Sequence, residues 1–212
     1  MAQMSDALDL LPQPRPGDSS PGDWSELLKL VVLGKGDKSP ETLADSELSH
    51  PQQVAAARLT QISAWLEAAG RQPKPAKTLL ELAKWWMEHS GLPFEDRGTE
   101  TVRAELRSMP GINAELADRL LLFVGQHPAF PIDRATIRIA CRHGWAEPEA
   151  DYEDWQATFM RTWETTTNLQ RVSLGFTEIG RKHCGPQPRC TGCPLEPLLP
   201  PGGPIALGEE GG

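Results

Sequence analysis

The stretch from Leu106 to Phe123 constrains the fold of this chain most, because it predicts two helices joined by a very short turn. Leu106 and Met109 end the first helix, Pro110-Gly111-Ile112-Asn113 form the turn, and apolar residues at helical spacing follow from Ala114 onward. Glycine accepts a positive φ at no steric cost, and asparagine is the next most tolerant residue. We therefore predict a helical hairpin with left-handed positions at Gly111 and Asn113.

A turn of this kind presents backbone N–H groups at the start of a helix, where anions bind. Nucleic-acid phosphate is the anion that we expect. The same letters also suit an ordinary turn between two helices, so both interpretations stay open at this point. The residues predicted to contact phosphate through this turn are Pro110, Gly111, Ile112, Asn113 and Ala114.

The remaining sequence predicts an all-α chain, since no alternating strand pattern occurs in it. Asp23 is a candidate N-cap for the first long helix. Gly180 is a candidate C-terminal residue for the last one. Apolar spacing predicts helices over 24–33, 54–69, 76–90, 101–109, 114–126, 132–143, 151–166 and 169–179.

Both ends of the chain are predicted to lie outside the core. Residues 1–20 are rich in Pro, Ser, Gly and Asp and are expected to be disordered, and residues 200–212 are expected to form a flexible tail. The chain has neither an apolar run of about 18 residues nor a recognisable signal peptide, which predicts a cytoplasmic protein without a membrane span.

The net charge of −8 argues against a general nucleic-acid binder, but the charge is unevenly distributed. Residues 146–165 carry six acidic side chains against Arg161 alone. Basic residues are concentrated in 134–142 and 171–189 instead. The net charge therefore does not predict the sign of any one surface.

Three of the four cysteines, Cys184, Cys190 and Cys193, fall within ten residues of one another. In a reducing compartment, such crowding indicates metal binding rather than disulfides. Thiolates suit both iron–sulfur clusters and zinc.

Three segments, in order along the chain, resemble the endonuclease III family of helix-hairpin-helix DNA glycosylases. They are the hairpin LRSMPGINAELADRLLLF, the segment FPIDRATIRIACRHGW and the loop GRKHCGPQPRCTGC. The resemblance covers about residues 23–199. It implies a two-lobed all-α fold with a DNA cleft and a C-terminal iron–sulfur-type loop. The hairpin 106–123 would lie in a helical lobe of residues 35–127, and residues 21–34 with 128–199 would form the cluster lobe.

Asp133 matches the catalytic aspartate of that family. Loss of a base from deoxyribose passes through an oxocarbenium-like sugar, which a carboxylate can stabilise while it orients or deprotonates water. The base must also leave the helical stack to be removed. From the sequence alone, Asp133 is equally an N-cap, and one residue can serve both purposes.

Glu115 departs from the family pattern. Bifunctional members carry a lysine here, whose amine forms a Schiff base with the sugar. A carboxylate cannot form an imine, so we expect no lyase activity of that type. Glu115 is either a surface acid in the first helical turn or a second carboxylate that shares the catalytic work with Asp133.

The cysteine loop also departs from its family, whose pattern is Cys-x₆-Cys-x₂-Cys-x₅-Cys. The first gap is one residue short here, and the fourth ligand position falls at Leu199. A [4Fe-4S] cluster would need His183, Glu196 or Cys141 as its fourth ligand; a zinc site and a loop without metal are the alternatives. A cluster would be structural and would shape a basic loop for phosphate contact, with Arg181, Lys182 and Arg189.

These features predict a base-excision-repair enzyme, a monofunctional DNA glycosylase that acts as a monomer on double-stranded DNA carrying a lesion or mismatch. A catalytically silent member that binds DNA structures is the alternative, and a metalloprotein with a non-DNA partner is a third. The chain has seven tryptophans, one of which could stack on an unpaired base if it were exposed.

Overall fold

The computed structural model describes residues 3–12, 23–33, 41–147 and 149–207. Regular structure in these residues is helical, with an isolated β-bridge between Cys184 and Pro188, so the predicted all-α class is confirmed for them. Short 3₁₀ turns cover Met4–Asp6, Glu47–Ser49 and Glu196–Leu198. The α-helices are α1 (Ala7–Leu10), α2 (Trp24–Val32), α3 (Glu41–Ala44), α4 (Pro51–Ala56), α5 (Leu59–Ala68), α6 (Ala76–Glu88), α7 (Thr99–Ser108), α8 (Ala114–Phe123), α9 (Arg134–Arg142), α10 (Tyr152–Thr162) and α11 (Thr166–Lys182).

None of these helices combines the length and the apolar character that a membrane span requires.

The chain divides into two compact units, one of residues 19–127 and one of residues 1–18 with 128–212. This division differs from the expected lobes, in which residues 21–34 belong with residues 128–199. Helix α2 instead packs within the unit of residues 19–127, where it contacts α6 and α8. An amphipathic helix shows in its sequence which face it buries, but not which partner covers that face.

Trp24 anchors α2 in the core of the unit of residues 19–127. Asp23 is the N-cap of the helix, as predicted, and accepts a hydrogen bond from the Ser25 N–H. The Trp24 indole N–H donates to the Leu48 carbonyl at 2.8 Å, and its ring meets Trp86 edge-on with centroids 5.6 Å apart. Leu27 and Leu28 are buried beside it, and each such side chain contributes roughly 1.5–3 kcal/mol.

The helix predicted over 54–69 is interrupted, so that prediction was wrong in part. Ala57 and Arg58 are extended, with ψ of 158° and 151°, and they separate α4 from α5. The Arg58 N–H donates to the Gln61 side-chain oxygen at 2.9 Å. A side chain thus satisfies the donor that a continuous helix would pair with a backbone carbonyl.

An aromatic cluster forms much of the core of the other unit. The Phe130 and Phe159 rings stack at 4.8 Å, and Trp163 and Phe176 meet edge-on at 6.0 Å. Helices α9 and α11 pack against each other, and a Cβ built at Gly180 would lie 2.4 Å from the Ala135 Cβ. The prediction that Gly180 ends the last helix is therefore wrong. Gly180 lies within α11 and permits a close helix crossing.

Residues 3–12 are ordered, which corrects the prediction of a disordered tail for this part. Ala7 and Leu11 are buried, and the Arg171 side chain donates to the Leu11 carbonyl at 3.1 Å. Apolar residues within the polar segment provide this contact. Residues 13–20 of that predicted tail lie outside the described residues, as do residues 208–212 of the predicted C-terminal tail.

Candidate functional site

The hairpin turn lies between α7 and α8, as predicted. The Ile112 N–H donates to the Met109 carbonyl at 3.3 Å, and Gly111 has a φ of +82°. Proline at the second position and a positive φ at the third are typical of a type II turn. The left-handed prediction for Gly111 is confirmed.

Asn113 does not adopt the left-handed conformation that we predicted for it. Its φ and ψ are −88° and 176°, and its side-chain oxygen accepts a hydrogen bond from the Leu116 N–H at 2.9 Å. Asn113 is therefore the N-cap of α8, a role that favours asparagine. Because the side chain satisfies one helical donor, the residue supports the start of the helix rather than the turn itself.

Helix α6 supports the turn through Thr78, a residue that the sequence did not indicate. The Thr78 hydroxyl donates to the Pro110 carbonyl at 2.9 Å. A Cβ built at Gly111 would lie 2.3 Å from the Thr78 Oγ1, so only glycine fits there without displacement. Thr78 and Pro110 are 32 residues apart, which explains why local sequence patterns could not reveal the contact.

A buried ion pair joins the two helices of the hairpin. The Arg103 Nε donates to Asp118 Oδ1 at 2.7 Å, and the Asp118 side chain is only 1% exposed. Burial alone would lower the pKa of Arg103, but attraction to Asp118 and hydrogen bonds to Asp118 and Glu100 outweigh it and raise that pKa. The guanidinium therefore stays charged, and the pair fixes α7 against α8.

An open groove of about 480 Å³ lies at the N-terminal end of α8. Glu115 and Arg119 both line this groove, and their charged groups are 3.9 Å apart across one helical turn. Arg119, which the sequence did not indicate, places a cation beside the predicted phosphate site. The lining residues are Gly111, Ile112, Asn113, Glu115, Leu116 and Arg119.

Asp133 is the N-cap of α9. Its Oδ1 accepts a hydrogen bond from the Thr136 N–H at 2.7 Å, and the residue is 7% exposed. The N-cap interpretation is thus confirmed. A catalytic role for Asp133, and one shared with Glu115, stay predictions.

Helix α10 positions the backbone just before Asp133. The Ile132 N–H donates to the Tyr152 hydroxyl at 3.3 Å, and the Gln156 amide donates to the Phe130 carbonyl at 3.2 Å. Tyr152 is the only tyrosine of the chain. These two contacts fix the segment before α9 to α10.

The three predicted basic contacts lie on the surface near the end of α11. Arg181, Lys182 and Arg189 are all exposed. Lys182 forms an ion pair with Glu178, one helical turn earlier. The carboxylate weakens the positive potential that Lys182 presents to a ligand. Contact of these residues with DNA stays a prediction.

Two arginines of α9 hold the cysteine loop. Arg142 is buried, and its guanidinium donates to the Gly185 carbonyl at 2.6 Å, the Pro186 carbonyl at 2.7 Å and the Cys184 Sγ at 3.2 Å. Arg138 donates to the Cys184 carbonyl at 3.0 Å. The loop is thus fixed to α9 by protein hydrogen bonds.

Cys184, Cys190 and Cys193 line one cavity beneath this loop, as the spacing predicted. His183 and Glu196, two of the candidate fourth ligands, line it as well. Cys141 is buried, but it is not among the described residues that line this cavity. Burial raises the pKa of both Cys190 and Cys193, and the neighbouring thiols raise these values further.

The donors present suit an iron–sulfur cluster or zinc in chemistry, since three sulfurs face one space beside a buried cation. The space itself is too small for a four-iron cluster as it stands. The cavity measures about 20 Å³, roughly the room that one water molecule needs. Within the described part of the chain, no three His, Cys, Asp or Glu side chains have metal-ligand geometry. Binding a cluster would require the loop to open.

All seven tryptophans lie within the described residues, and none is exposed. Trp65 and Trp145 are half-buried, and the others are buried. The hypothesis of an exposed tryptophan that stacks on a base is therefore wrong for this conformation.

No protein-family profile matches the chain. Three curated proteins are similar in sequence. A Methanocaldococcus jannaschii protein described as a DNA repair glycosylase is 27% identical over 136 residues, 62% of each chain. The thymine-DNA glycosylase of Aeropyrum pernix is 25% identical, over 70% of this chain and 67% of that protein. Endonuclease III of Thermotoga maritima is 26% identical, over 69% of this chain and 66% of that protein.

The matches thus span about two thirds or less of these relatives' own length. Solved structures resemble the chain over a larger share. An endonuclease III trapped in a covalent intermediate with DNA has a TM-score of 0.64 and 20% identity, over 86% of this chain and 87% of that one. The Helicobacter pylori 3-methyladenine DNA glycosylase bound to 1,N6-ethenoadenine has a TM-score of 0.61 and 17% identity, over 84% and 94%.

The helical fold, the hairpin and these sequence relatives agree. The chain is similar in sequence to these DNA repair glycosylases and shares the fold of the endonuclease III and 3-methyladenine DNA glycosylase structures.

Proposed function

We propose that this protein is a DNA glycosylase that removes a damaged or mispaired base from double-stranded DNA during base-excision repair. The observation that carries the proposal is the α7–α8 hairpin, whose glycine turn opens onto a helix N-terminus beside Arg119. Helix N-termini bind phosphate through backbone N–H groups, which position a protein on DNA without reading sequence. The repair functions of the sequence relatives support the same conclusion.

Asp133 is the catalytic residue in this proposal. Its carboxylate stabilises the positive charge that develops on the sugar and orients or deprotonates the attacking water. The cap that Asp133 gives to α9 fixes the direction of the carboxyl group, so the structural and chemical roles support each other.

The enzyme is monofunctional in this proposal, because Glu115 occupies the position of the lysine in bifunctional relatives. A carboxylate cannot form a Schiff base with the sugar. The protein would act as a monomer in the cytoplasm, releasing the base and leaving an abasic site.

The test is a panel of duplexes that carry uracil, thymine glycol, alkylated purines or mismatches, incubated with the protein and then cleaved with hot alkali. A new strand break with at least one duplex is expected for the wild type, and none before alkali. Asp133→Asn keeps an amide oxygen for the cap of α9 but removes the charge, so it should fold normally and lose excision. No break with any lesion would contradict the proposal.

A catalytically silent DNA-binding protein is the second candidate, and Glu115 favours it, because an acid in the groove weakens the attraction for phosphate. In that case the wild type and Asp133→Asn would bind duplex DNA equally and neither would excise a base. Failure to bind any duplex at low salt would favour a non-DNA partner instead.

We also propose that the cysteine loop opens to hold a structural [4Fe-4S] cluster through Cys184, Cys190 and Cys193, with Glu196 or His183 as the fourth ligand. The shared cavity and the cation of Arg142 support this. Anaerobic purification should give iron and labile sulfide in equal amounts and absorption near ~400 nm. Zinc on elemental analysis, or neither metal, would contradict the proposal.

A further inference from the structure

The turn of the hairpin is hydrogen-bonded to the buried hydroxyl of Thr78 on α6. Thr78 is 6% exposed and belongs to the apolar face of α6. Its hydroxyl donates outward from α6 to the Pro110 carbonyl, 32 residues later in the chain. A threonine inside a helix more often bonds a carbonyl of its own preceding turn. This contact therefore links two elements that the chain does not connect directly.

Gly111 makes the contact possible. Because a Cβ at this position would lie 2.3 Å from the Thr78 Oγ1, the absence of a side chain lets the hydroxyl reach the turn. The positive φ of Gly111 requires glycine independently. Thr78 and Gly111 thus act together. The Thr78 hydroxyl holds the Pro110 peptide, and the glycine leaves room for that hydroxyl.

We propose that Thr78 is the positioning residue of the hairpin, and that its hydrogen bond holds the turn in the conformation that binds a DNA phosphate. The inference rests on the proposed function of the hairpin. Thr78 contacts no ligand itself. It acts on the orientation of the Pro110–Gly111 peptide, and therefore on where the N–H groups before α8 point.

The physical basis is the population of the binding-competent turn. A ligand that binds one conformation has an apparent Kd equal to its intrinsic Kd divided by the fraction of molecules in that conformation. One hydrogen bond changes such an equilibrium by roughly threefold to tenfold. A methyl group in place of the hydroxyl would also be too close to the carbonyl at 2.9 Å and would push the turn away.

The test compares Thr78→Val with Thr78→Ser, which keeps the hydroxyl. Binding to a fluorescein-labelled duplex with a stable abasic-site analogue is followed by anisotropy over a range of salt concentrations. Thr78→Val should weaken binding by roughly threefold to tenfold, and Thr78→Ser should bind within about twofold of the wild type. Because the smaller competent fraction rescales the apparent Kd without removing a cationic contact, the slope of log K against log salt should stay that of the wild type.

The fraction of active protein separates positioning from general damage to the fold. In a titration at stoichiometric concentrations, a partly unfolded variant needs more protein to saturate the duplex, whereas Thr78→Val should saturate it at the same ratio as the wild type. Ser173→Ala serves as the matched control, because it also removes a buried hydroxyl but lies in α11, in the other unit. It should change neither the affinity nor the slope.

Amide hydrogen exchange gives a readout that does not depend on DNA. The Ile112 N–H closes the turn onto Met109, so its exchange should be faster in Thr78→Val than in the wild type and restored in Thr78→Ser. If the wild type binds DNA and Thr78→Val binds with the same affinity, this inference is wrong while the proposed function stands. If the wild type binds no duplex at low salt, both are wrong.

Discussion

Glu115 and Arg119 face each other across one turn of α8, at the groove beside the hairpin. The pair explains how an acidic residue is accommodated next to a predicted phosphate site. The arginine compensates the acid within the same groove, and a phosphate that arrives there competes with Glu115 for it. A partly exposed pair whose charged groups are 3.9 Å apart contributes little to stability, so its importance lies in the local charge.

Replacing Glu115 by lysine should convert the protein into a trappable lyase. The new amine would occupy the position from which bifunctional relatives attack the sugar. Its positive neighbour Arg119 would lower the pKa of the lysine and increase the neutral, nucleophilic fraction. Borohydride treatment with an abasic-site duplex should give a covalent complex with Glu115→Lys and none with the wild type.

Glu95→Lys provides the matched control for that experiment. Glu95 is exposed and lies in the same unit, so the variant has the same change in net charge. It should bind DNA somewhat better than the wild type and give no trapped complex. A trapped complex with the wild type would show that another amine acts as the nucleophile, and our interpretation of Glu115 would be wrong.

Elements of this fold are easier to predict than the contacts between them. Apolar spacing predicted α6, α8 and α9 to within a few residues, since each has a clear buried face. Small and polar residues were harder to interpret. Gly180 and Asn113 each suit both a helix end and another role, and only the neighbouring helix or the local dihedral angles decide between them.

Gly180 permits α11 to approach α9 closely at Ala135, and substitutions at these two positions test that contact. A methyl group at position 180 would lie 2.4 Å from the Ala135 Cβ, and neither helix backbone can yield cheaply. Gly180→Ala should therefore lower the free energy of unfolding by roughly 1–3 kcal/mol in urea titrations. Because Ala135 is two residues from Asp133, excision should fall more than stability predicts.

The double variant Gly180→Ala with Ala135→Gly tests whether this contact is the cause. The methyl group moves from one helix to the other, so the clash disappears. Stability should recover in part, less the cost of a glycine within a helix, about 1 kcal/mol. If the double variant is as unstable as the sum of the single variants, the two positions are not coupled and the explanation fails.

Helix α7 is braced against α6 by Glu105, whose carboxylate accepts from the Trp85 indole at 2.8 Å and pairs with Arg97. The hydrogen bond from Arg97 is the main cause of a lowered pKa for Glu105, helped by the one from Trp85. The unfolded chain therefore binds this proton more readily. The contribution of Glu105 to stability is complete above its unfolded pKa of about 4.3 and is lost as the pH falls through the folded value.

Glu105→Gln should reduce the loss in the free energy of unfolding that occurs at acidic pH. Urea titrations at pH 7 and at about pH 3.5 should show a larger loss for the wild type than for the variant. Glu81→Gln is a suitable control, since Glu81 on α6 pairs with Lys84 in an exposed bridge. Equal losses for the wild type and Glu105→Gln would mean that the brace does not stabilise the fold.

At the scale of the whole molecule, composition was a poor guide to which segments join the core. The first residues of the chain looked disordered because Pro, Gly, Ser and Asp dominate the segment up to residue 20. Met4, Ala7 and Leu11 nevertheless recur at helical spacing and are buried. Contacts between such distant segments, here about 160 residues apart, leave no mark in the local sequence.

Leu11 provides the sharpest test of this long-range contact. It is 2% exposed, and a Cβ built at Gly175 of α11 would lie 2.6 Å from the Leu11 Cδ2. Leu11→Ala should lower the free energy of unfolding by about 2–4 kcal/mol, because the truncation leaves a cavity against α11. Leu10→Ala removes the same atoms from a neighbouring side chain that is 38% exposed and should cost much less, about 0.5 kcal/mol. Calorimetry gives the overall change, and faster amide exchange in α11 should occur with Leu11→Ala alone. Equal destabilisation by the two variants would mean that residues 3–12 do not pack on α11 in solution.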